Sequence, residues 1–317
     1  MQFNLNINTP SDSESIIYDS LIIGAGPAGV SAAVYLKRKG HTIAIISDEE
    51  GGQVATTSSV ENYPGFASIS GFDLTQSFMQ QLNKLAVTHI NSRVNGITKN
   101  DLFEVTLDSG QVLQSHTVLY AAGATRRKLG APGEAQFAGR GVAYCSICDG
   151  PFFADRDVIV VGGGNSAVES VIDLAKIARH VTLVHRSTLK ADQVAIDQMM
   201  KLENVTIRLS TVIDEIRGDQ LVKDVILRDT SNDTTEEMPI DGIFIDIGSL
   251  PRSELAGQLV ELNGRKEIVV DALGKTDLKG FYAAGDVTDE KYKQIVVAAG
   301  RGASAALAIS DELNQRK

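Results

Sequence analysis

Two stretches of the chain share one hydrophobic grammar. An apolar run over residues 16–23 (Ile-Ile-Tyr-Asp-Ser-Leu-Ile-Ile) stops at Gly24, a helical pattern follows from Pro27 to Lys39, and a second apolar run, Ile43 to Ile46, ends in Ser47-Asp48. Short, unbroken apolar runs that end at glycine predict buried parallel strands, so this stretch predicts a βαβ unit. Residues 157–161 (Asp-Val-Ile-Val-Val) then lead into Gly162-Gly163-Gly164, a helical stretch runs to about Ala178, and Val181 to Val184 predicts the next strand. Apolar runs at 242–247, 267–270 and 280–284 predict further strands, and an amphipathic segment from about Lys293 to Leu313 predicts a closing helix. This alternation predicts an α/β fold of two Rossmann-like dinucleotide-binding domains, three-layered, with parallel sheets and antiparallel additions.

A length of 317 residues, of which 43% are hydrophobic, suggests about two domains with full cores, and no low-complexity linker divides them. The net charge of −10 opposes attraction to nucleic-acid phosphates or an anionic membrane surface, so neither is expected as a partner. No apolar stretch reaches membrane-spanning length. The first 16 residues carry Asp12 and Glu14 and lack the basic start and apolar block of a secretory leader. With two cysteines in all, the reducing cytoplasm is the expected compartment.

The first glycine turn reads Gly24-Ala25-Gly26-Pro27-Ala28-Gly29. Gly24 permits the turn, Gly26 lets backbone approach a pyrophosphate, Gly29 lets helix and strand pack closely, and the helix start offers unpaired N–H groups. Asp48, about twenty residues on, is placed to accept from ribose hydroxyls. In the second turn Gly162, Gly164 and Ala167 fit the Gly-x-Gly-x-x-Ala variant. After its second strand stand His185, Arg186 and Lys190 in place of an acid, and cations suit a ribose 2′-phosphate. NADPH is therefore expected there, with NADH as the alternative.

Cys145 and Cys148 lie in Tyr-Cys-Ser-Ile-Cys-Asp-Gly and are the chain's entire sulfhydryl complement. Thiol–disulfide exchange needs an accessible thiolate and a second sulfur close enough to resolve the mixed disulfide. Two intervening residues keep both within bridging range. Asp149 follows directly and can carry the proton that a leaving sulfur acquires, or it can be a simple turn residue. Half of a zinc site is the competing use of such a pair, but no second cysteine pair exists and none of the five histidines stands at ligand spacing.

Taken together, these motifs resemble the low-molecular-weight thioredoxin reductases, with the alkyl hydroperoxide reductase flavoprotein subunit as a close relative. The likeness covers nearly the whole chain and includes Gly51-Gly52-Gln53, Glu61-Asn62-Tyr63-Pro64-Gly65, Ala122-Gly123-Ala124, Cys145 to Gly150, Gly162 to Ala167, Ala284-Gly285-Asp286 and Lys293-Gln294-Ile295. The resemblance implies a discontinuous FAD domain, residues 1–123 and 248–317, around an NAD(P)H domain, residues 124–247, that carries the dithiol. It implies an FAD site of Gly24, Gly26, Pro27, Ala28, Gly29, Asp48, Gly51, Gly52, Gln53, Thr57, Asn62, Val94, Ala122, Gly123, Gly285, Asp286, Lys293, Gln294 and Ile295. For the nicotinamide nucleotide it implies Gly162, Gly164, Asn165, Ser166, His185, Arg186, Lys190 and Gly248.

The same resemblance makes Cys148 the flavin-facing sulfur, Cys145 the attacking one and Asp149 the acid–base residue. It also implies a homodimer and a domain rotation, with Gly123 and Gly248 as hinge positions. Electrons would pass from NADPH through FAD and the dithiol to a thioredoxin or similar small dithiol protein. The chain departs from the reductase pattern at Ser187 and Lys190, in a loop one residue short, and Leu189 to Val194 looks more like the peroxide-system flavoprotein. The N-terminal thioredoxin-like domains of that flavoprotein are missing, so the partner disulfide is expected on a separate protein. An NADH-dependent reductase of a peroxiredoxin or glutaredoxin-like carrier is thus the alternative. A non-catalytic flavin and dithiol redox sensor, or a diaphorase-like oxidase indifferent to Cys145, are readings from other classes.

Overall fold

The computed structural model describes residues 16–57 and 59–316. The reading of the N-terminal leader thus falls almost entirely outside the described residues. The chain divides into two compact units. One comprises the chain up to Thr56, Gly71–Ala124 and Pro251 onward; the other comprises Thr57–Ser70 and Thr125–Leu250. Segment 57–70, expected within the first stretch, is thus counted with the second unit. Among its described residues the segment makes an internal bridge, from Val60 to Ile69.

The first unit opens with β1 (Ile17–Ala25), α1 (Pro27–Arg38) and β2 (Ile43–Glu50), followed by α2 (Gly71–Lys84), β3 (Thr88–Ile90), β4 (Val94–Lys99), β5 (Phe103–Leu107) and β6 (Val112–Tyr120). The sheet order is β3-β2-β1-β6-β5-β4. β1 pairs in parallel with β2 and β6, whereas β4, β5 and β6 pair antiparallel. Leu21, Ile22 and Ile45 are fully buried in these central strands, which is why the strands read as unbroken apolar runs. Each such side chain contributes roughly 1.5–3 kcal/mol by leaving water.

The chain crosses to the second unit through β7 (Ala124–Arg126). There follow α3 (Glu134–Phe137), β8 (Val142–Ala143), α4 (Ser146–Asp149), β9 (Asp157–Val161), α5 (Asn165–Leu174), β10 (His180–Val184), α6 (Gln193–Met199), β11 (Val205–Arg208), β12 (Thr211–Gly218), β13 (Val222–Asp229), β14 (Thr235–Pro239) and β15 (Gly242–Ile245). A parallel sheet of order β11-β10-β9-β15-β8 carries the second glycine turn, and β12, β13 and β14 form a separate antiparallel sheet. The return strand β16 (Ser249–Pro251) pairs with β7 as a two-stranded ribbon.

Back in the first unit, β17 (Phe281–Ala283) pairs in parallel with β6, and α7 (Ile295–Asn314) ends the fold. The strand expected at 267–270 is absent as a ladder. Ile268 makes isolated bridges to Leu262 and Thr288, while the Glu267 N–H donates to the Asn263 side chain at 3.0 Å, so a side-chain-locked turn replaces regular pairing. Among the described residues, no helix is long and apolar enough to cross a membrane.

Candidate active site with two dinucleotide turns and a dithiol

The first turn is built by close approach. Gly24 has φ +107°, and a Cβ there would stand 2.3 Å from the Ala121 carbonyl oxygen; one at Gly29 would stand 1.9 Å from the carbonyl oxygen of Gly24. Only glycine fits either position. Gly26 caps α1 in an extended conformation, Pro27 supplies the first helical φ, and no acidic side chain lies in the first turn. The nearest atom to a Cβ at Gly26 would be the Gly51 carbonyl oxygen at 4.0 Å, so the helix entrance is open. Helix α7 closes the far side of α1, since a Cβ at Gly302 would sit 2.0 Å from the Ala28 carbonyl oxygen.

Other expected residues converge on this turn. Gly51 donates its N–H to the Ala25 carbonyl at 3.0 Å, and the Gln53 amide donates to Asp286 at 3.4 Å. Gly285, just before that acid, lies against Ala28, whose Cβ would be 3.1 Å from an added one. Asp48 extends beyond the expected strand end, because β2 runs on to Glu50. Its carboxylate accepts from Arg93, which holds it below the usual carboxylate range. The ammonium of Lys293 is spent on structure: it donates to the carbonyls of Asp286 at 3.2 Å and Thr288 at 2.5 Å and pairs with Glu267 at 3.2 Å. Gln294 caps α7 and Ile295 is its first residue, with no acid in the first turn. Val94 and Ala122 pack half-buried against the first unit's core, and Gly123 takes φ +70° beside the ribbon. Thr57 and Asn62 belong to the second unit.

In the second turn, Gly162 leaves room for the Asp246 carbonyl oxygen, which a Cβ would meet at 2.2 Å, and Gly163 leaves room for the His185 ring at 2.4 Å. Gly164 caps α5, and nothing lies within 4 Å of a Cβ there. The loop after β10 folds back on the turn, since Lys190 donates its N–H to the Gly163 carbonyl at 2.6 Å. Burial and then the Arg186 and Lys190 cations push the His185 pKa down, so its ring is neutral near pH 7. Arg186, Lys190 and Ser166 are exposed, while Gly248, expected with them, takes φ +91° at the ribbon. Asn165 is engaged by Asp192, which lies within the Leu189 to Val194 stretch that resembles the peroxide-system flavoprotein and is not among the expected site residues.

Cys145 and Cys148 are joined as a disulfide and half-buried. Cys145 caps α4, and its sulfur accepts the Cys148 N–H at 3.2 Å. The Asp149 N–H donates to the Cys145 carbonyl at 2.9 Å, which fixes the acid one turn after the first sulfur. Burial pushes the Asp149 carboxyl up, and Arg126 opposes this. Arg126 also donates to the Tyr144 carbonyl, and the Tyr144 hydroxyl donates to buried Glu134 at 2.8 Å. Neither Arg126 nor Glu134 belongs to a recognisable motif, and both reach the dithiol turn only through the fold.

Residues 18–302 match the pyridine nucleotide-disulphide oxidoreductase family. The F subunit of alkyl hydroperoxide reductase from Staphylococcus aureus (strain MSSA476) is 44% identical over 293 residues, 92% of this chain. A protein named NADH dehydrogenase from Bacillus subtilis (strain 168) is 41% identical over 298 residues, 93% of this chain. The chain spans 58% of the length of these curated relatives. Among solved structures, a thioredoxin reductase from Streptococcus pyogenes MGAS5005 is 36% identical with a TM-score of 0.90, covering 95% of this chain and 100% of the other. One from Giardia duodenalis is 28% identical with a TM-score of 0.89, covering 94% and 99%.

The residues fit the two cofactors of this family, FAD and NAD(P)H: two helix starts without first-turn acids stand behind glycines that leave the approach open. Two Rossmann-like units, a disulfide-bonded cysteine pair and these matches lead to one conclusion. The chain belongs to the pyridine nucleotide-disulphide oxidoreductases, within the low-molecular-weight thioredoxin reductase group to which the alkyl hydroperoxide reductase flavoprotein is related.

Proposed function

We propose that this chain carries electrons from NADPH through FAD to the Cys145–Cys148 disulfide and on to a disulfide of a separate thioredoxin or similar small dithiol protein. The observation that carries this reading is the dithiol turn itself: a half-buried disulfide whose first sulfur accepts the Cys148 N–H, followed at once by a half-buried acid. When bound, flavin and nicotinamide supply the two electrons that open the disulfide. The chain's own residues then manage sulfur and proton. The Cys148 N–H stabilises the Cys145 thiolate, which attacks the carrier disulfide; the Cys148 sulfur resolves the mixed disulfide. Asp149, its carboxyl raised by burial, holds a proton to higher pH than an exposed acid and delivers it to the leaving sulfur.

Arg186 and Lys190 favour NADPH, because both are exposed cations and no acid stands at the tip of β10. A second reading, NADH with a peroxiredoxin or glutaredoxin-like carrier, draws on the neutral His185, on Asp192 beside the turn, and on the names of the relatives at 41–44% identity. The test is a Cys145→Ser variant assayed for two half-reactions. Nicotinamide-driven flavin bleaching should survive and carrier reduction should vanish; undiminished carrier reduction would sink the proposal. Bleaching rates with the two nucleotides, compared by stopped flow, decide between the readings.

A further inference from the structure

Behind the dithiol lies a hydrogen-bonded line of three residues that the reaction scheme above does not use. Ser146, which opens α4 between the two cysteines, has its hydroxyl 2.8 Å from that of Ser170 on α5. Ser170, 6% exposed, donates in turn to Asp246 Oδ2 at 2.8 Å. Asp246 is fixed at the C-terminal tip of β15: its N–H donates to the Val161 carbonyl at 2.8 Å, and its own carbonyl fills the space left by Gly162. Glu169 of α5 and Arg126 of β7 are the charged groups that act on this carboxyl, while β15 itself and the adjoining end of β9 are apolar. Burial raises the carboxyl, with the Ser170 hydrogen bond and Arg126 opposing and Glu169 adding to it.

The polarity of the line follows from proton count. A hydroxyl has one proton to give. With Asp246 ionised, Ser170 must donate to it, so Ser146 must donate to Ser170, and Ser146 turns only lone pairs toward the cysteine turn. With Asp246 protonated, the carboxyl donates to Ser170, Ser170 donates to Ser146, and the Ser146 proton is released to point outward. The freed proton is then available to a thiolate formed at this turn, where Ser146 stands between Cys145 and Cys148.

We propose that Asp246 is a positioning residue for the dithiol, acting through Ser170 to set whether the Ser146 hydroxyl presents a proton or a lone pair to the cysteine turn. The inference rests on the redox reading of the dithiol given above. Opening the S–S bond takes two electrons, and the two sulfurs so released take up protons one at a time. The line sets the ease of the second uptake without itself transferring an electron.

The test needs neither nicotinamide nor carrier. In a Cys148→Ser/Asp149→Asn background Cys145 is the chain's only thiol and the neighbouring Asp149 carboxyl is removed, so alkylation by iodoacetamide, after reduction with a phosphine, can be followed from about pH 4 to about pH 9. The parent should show two inflections, one from the carboxyl and one from the thiol. Asp246→Asn and Ser170→Ala should each leave a single inflection and speed alkylation at about pH 6 by about threefold, because each frees the Ser146 proton. Superimposable profiles for parent and Ser170→Ala overturn the proposal. So does an effect of Asp246→Asn that Ser170→Ala fails to reproduce, because that is charge alone. Should Asp246→Asn not fold, the Ser170→Ala profile decides. A negative result here leaves the electron-transfer reading standing; that reading falls only on the Cys145→Ser carrier assay.

Discussion

Asn165 and Asp192 grip each other at both ends of the Asn165 amide: the amide N–H donates to Asp192 Oδ2 at 2.9 Å, and the amide oxygen accepts the Asp192 backbone N–H at 2.7 Å. The pair ties the first residue of α5 to the loop that carries Arg186 and Lys190, and it brings a carboxylate to the second glycine turn. Replacing Asp192 with Asn keeps an acceptor for the amide and removes the charge. An exposed charge of this kind is worth about 0.5–1 kcal/mol, so the NADPH-to-NADH ratio of kcat/KM should rise about threefold. Steady-state rates with both nucleotides check this, and an unchanged ratio would mean that Asp192 is only a structural clamp.

Arg186→Ala should act in the opposite direction. A charge-assisted hydrogen bond to a 2′-phosphate is worth about 1.5–3 kcal/mol, which predicts a rise of roughly tenfold or more in KM for NADPH. KM for NADH should change less than about twofold, because NADH has no group for that cation. Equal losses for the two nucleotides would remove Arg186 from the discrimination.

Asp149→Asn should lower carrier reduction by about a hundredfold while leaving nicotinamide-driven flavin reduction in place. Stability supplies an independent readout. The folded-state pKa of this acid lies above its unfolded value, so its contribution is fully favourable below the unfolded pKa and is lost as pH rises through the folded one. The Tm of Asp149→Asn relative to the parent should therefore climb across that window and then level off. A Tm difference independent of pH would show that the carboxyl titrates alike in both states.

Gly302 and Gly300 make a matched pair on α7. A side chain at Gly302 meets the Ala28 carbonyl at 2.0 Å, whereas Gly300 has nothing within 4 Å of the added carbon. Gly302→Val should cost at least about 1–3 kcal/mol through overpacking and reduce the flavin absorbance retained per mole of protein. Gly300→Ala should be neutral or stabilising by up to about 1 kcal/mol through helix propensity. Thermal melts and flavin content test both, and retained flavin in a folded Gly302→Val protein would mean that α1 tolerates displacement.

What could be read from the sequence was local in origin. Both βαβ units were legible because an apolar run, a glycine turn and a helix start lie within about forty residues of one another and each leaves its own periodic mark. Antiparallel additions were expected but not placed at β12-β13-β14, and strand β14, Thr-Glu-Glu-Met-Pro, shows why: its residues are largely exposed and carry no apolar alternation. The partnership of Asp48 with Arg93 spans 45 residues, and that of Ser170 with Asp246 spans 76. Such pairings are products of topology, and no spacing rule announces them. Lys293 adds a case of the same kind, since its motif announces neither the bond of its ammonium to Glu267 nor those to two carbonyls.

The packing of α7 on α1 and of β17 on β6 also sets an order of assembly on the ribosome. The segment Thr125–Leu250 emerges without a break and can condense as soon as it clears the exit tunnel. The N-terminal glycine turn, by contrast, waits for a helix that ends at Asn314. At about 5–20 residues per second, the nascent first half stays unfinished for roughly ten seconds or more. Apolar strand surface exposed over that interval makes this half, and not the inserted one, the natural client of a chaperone.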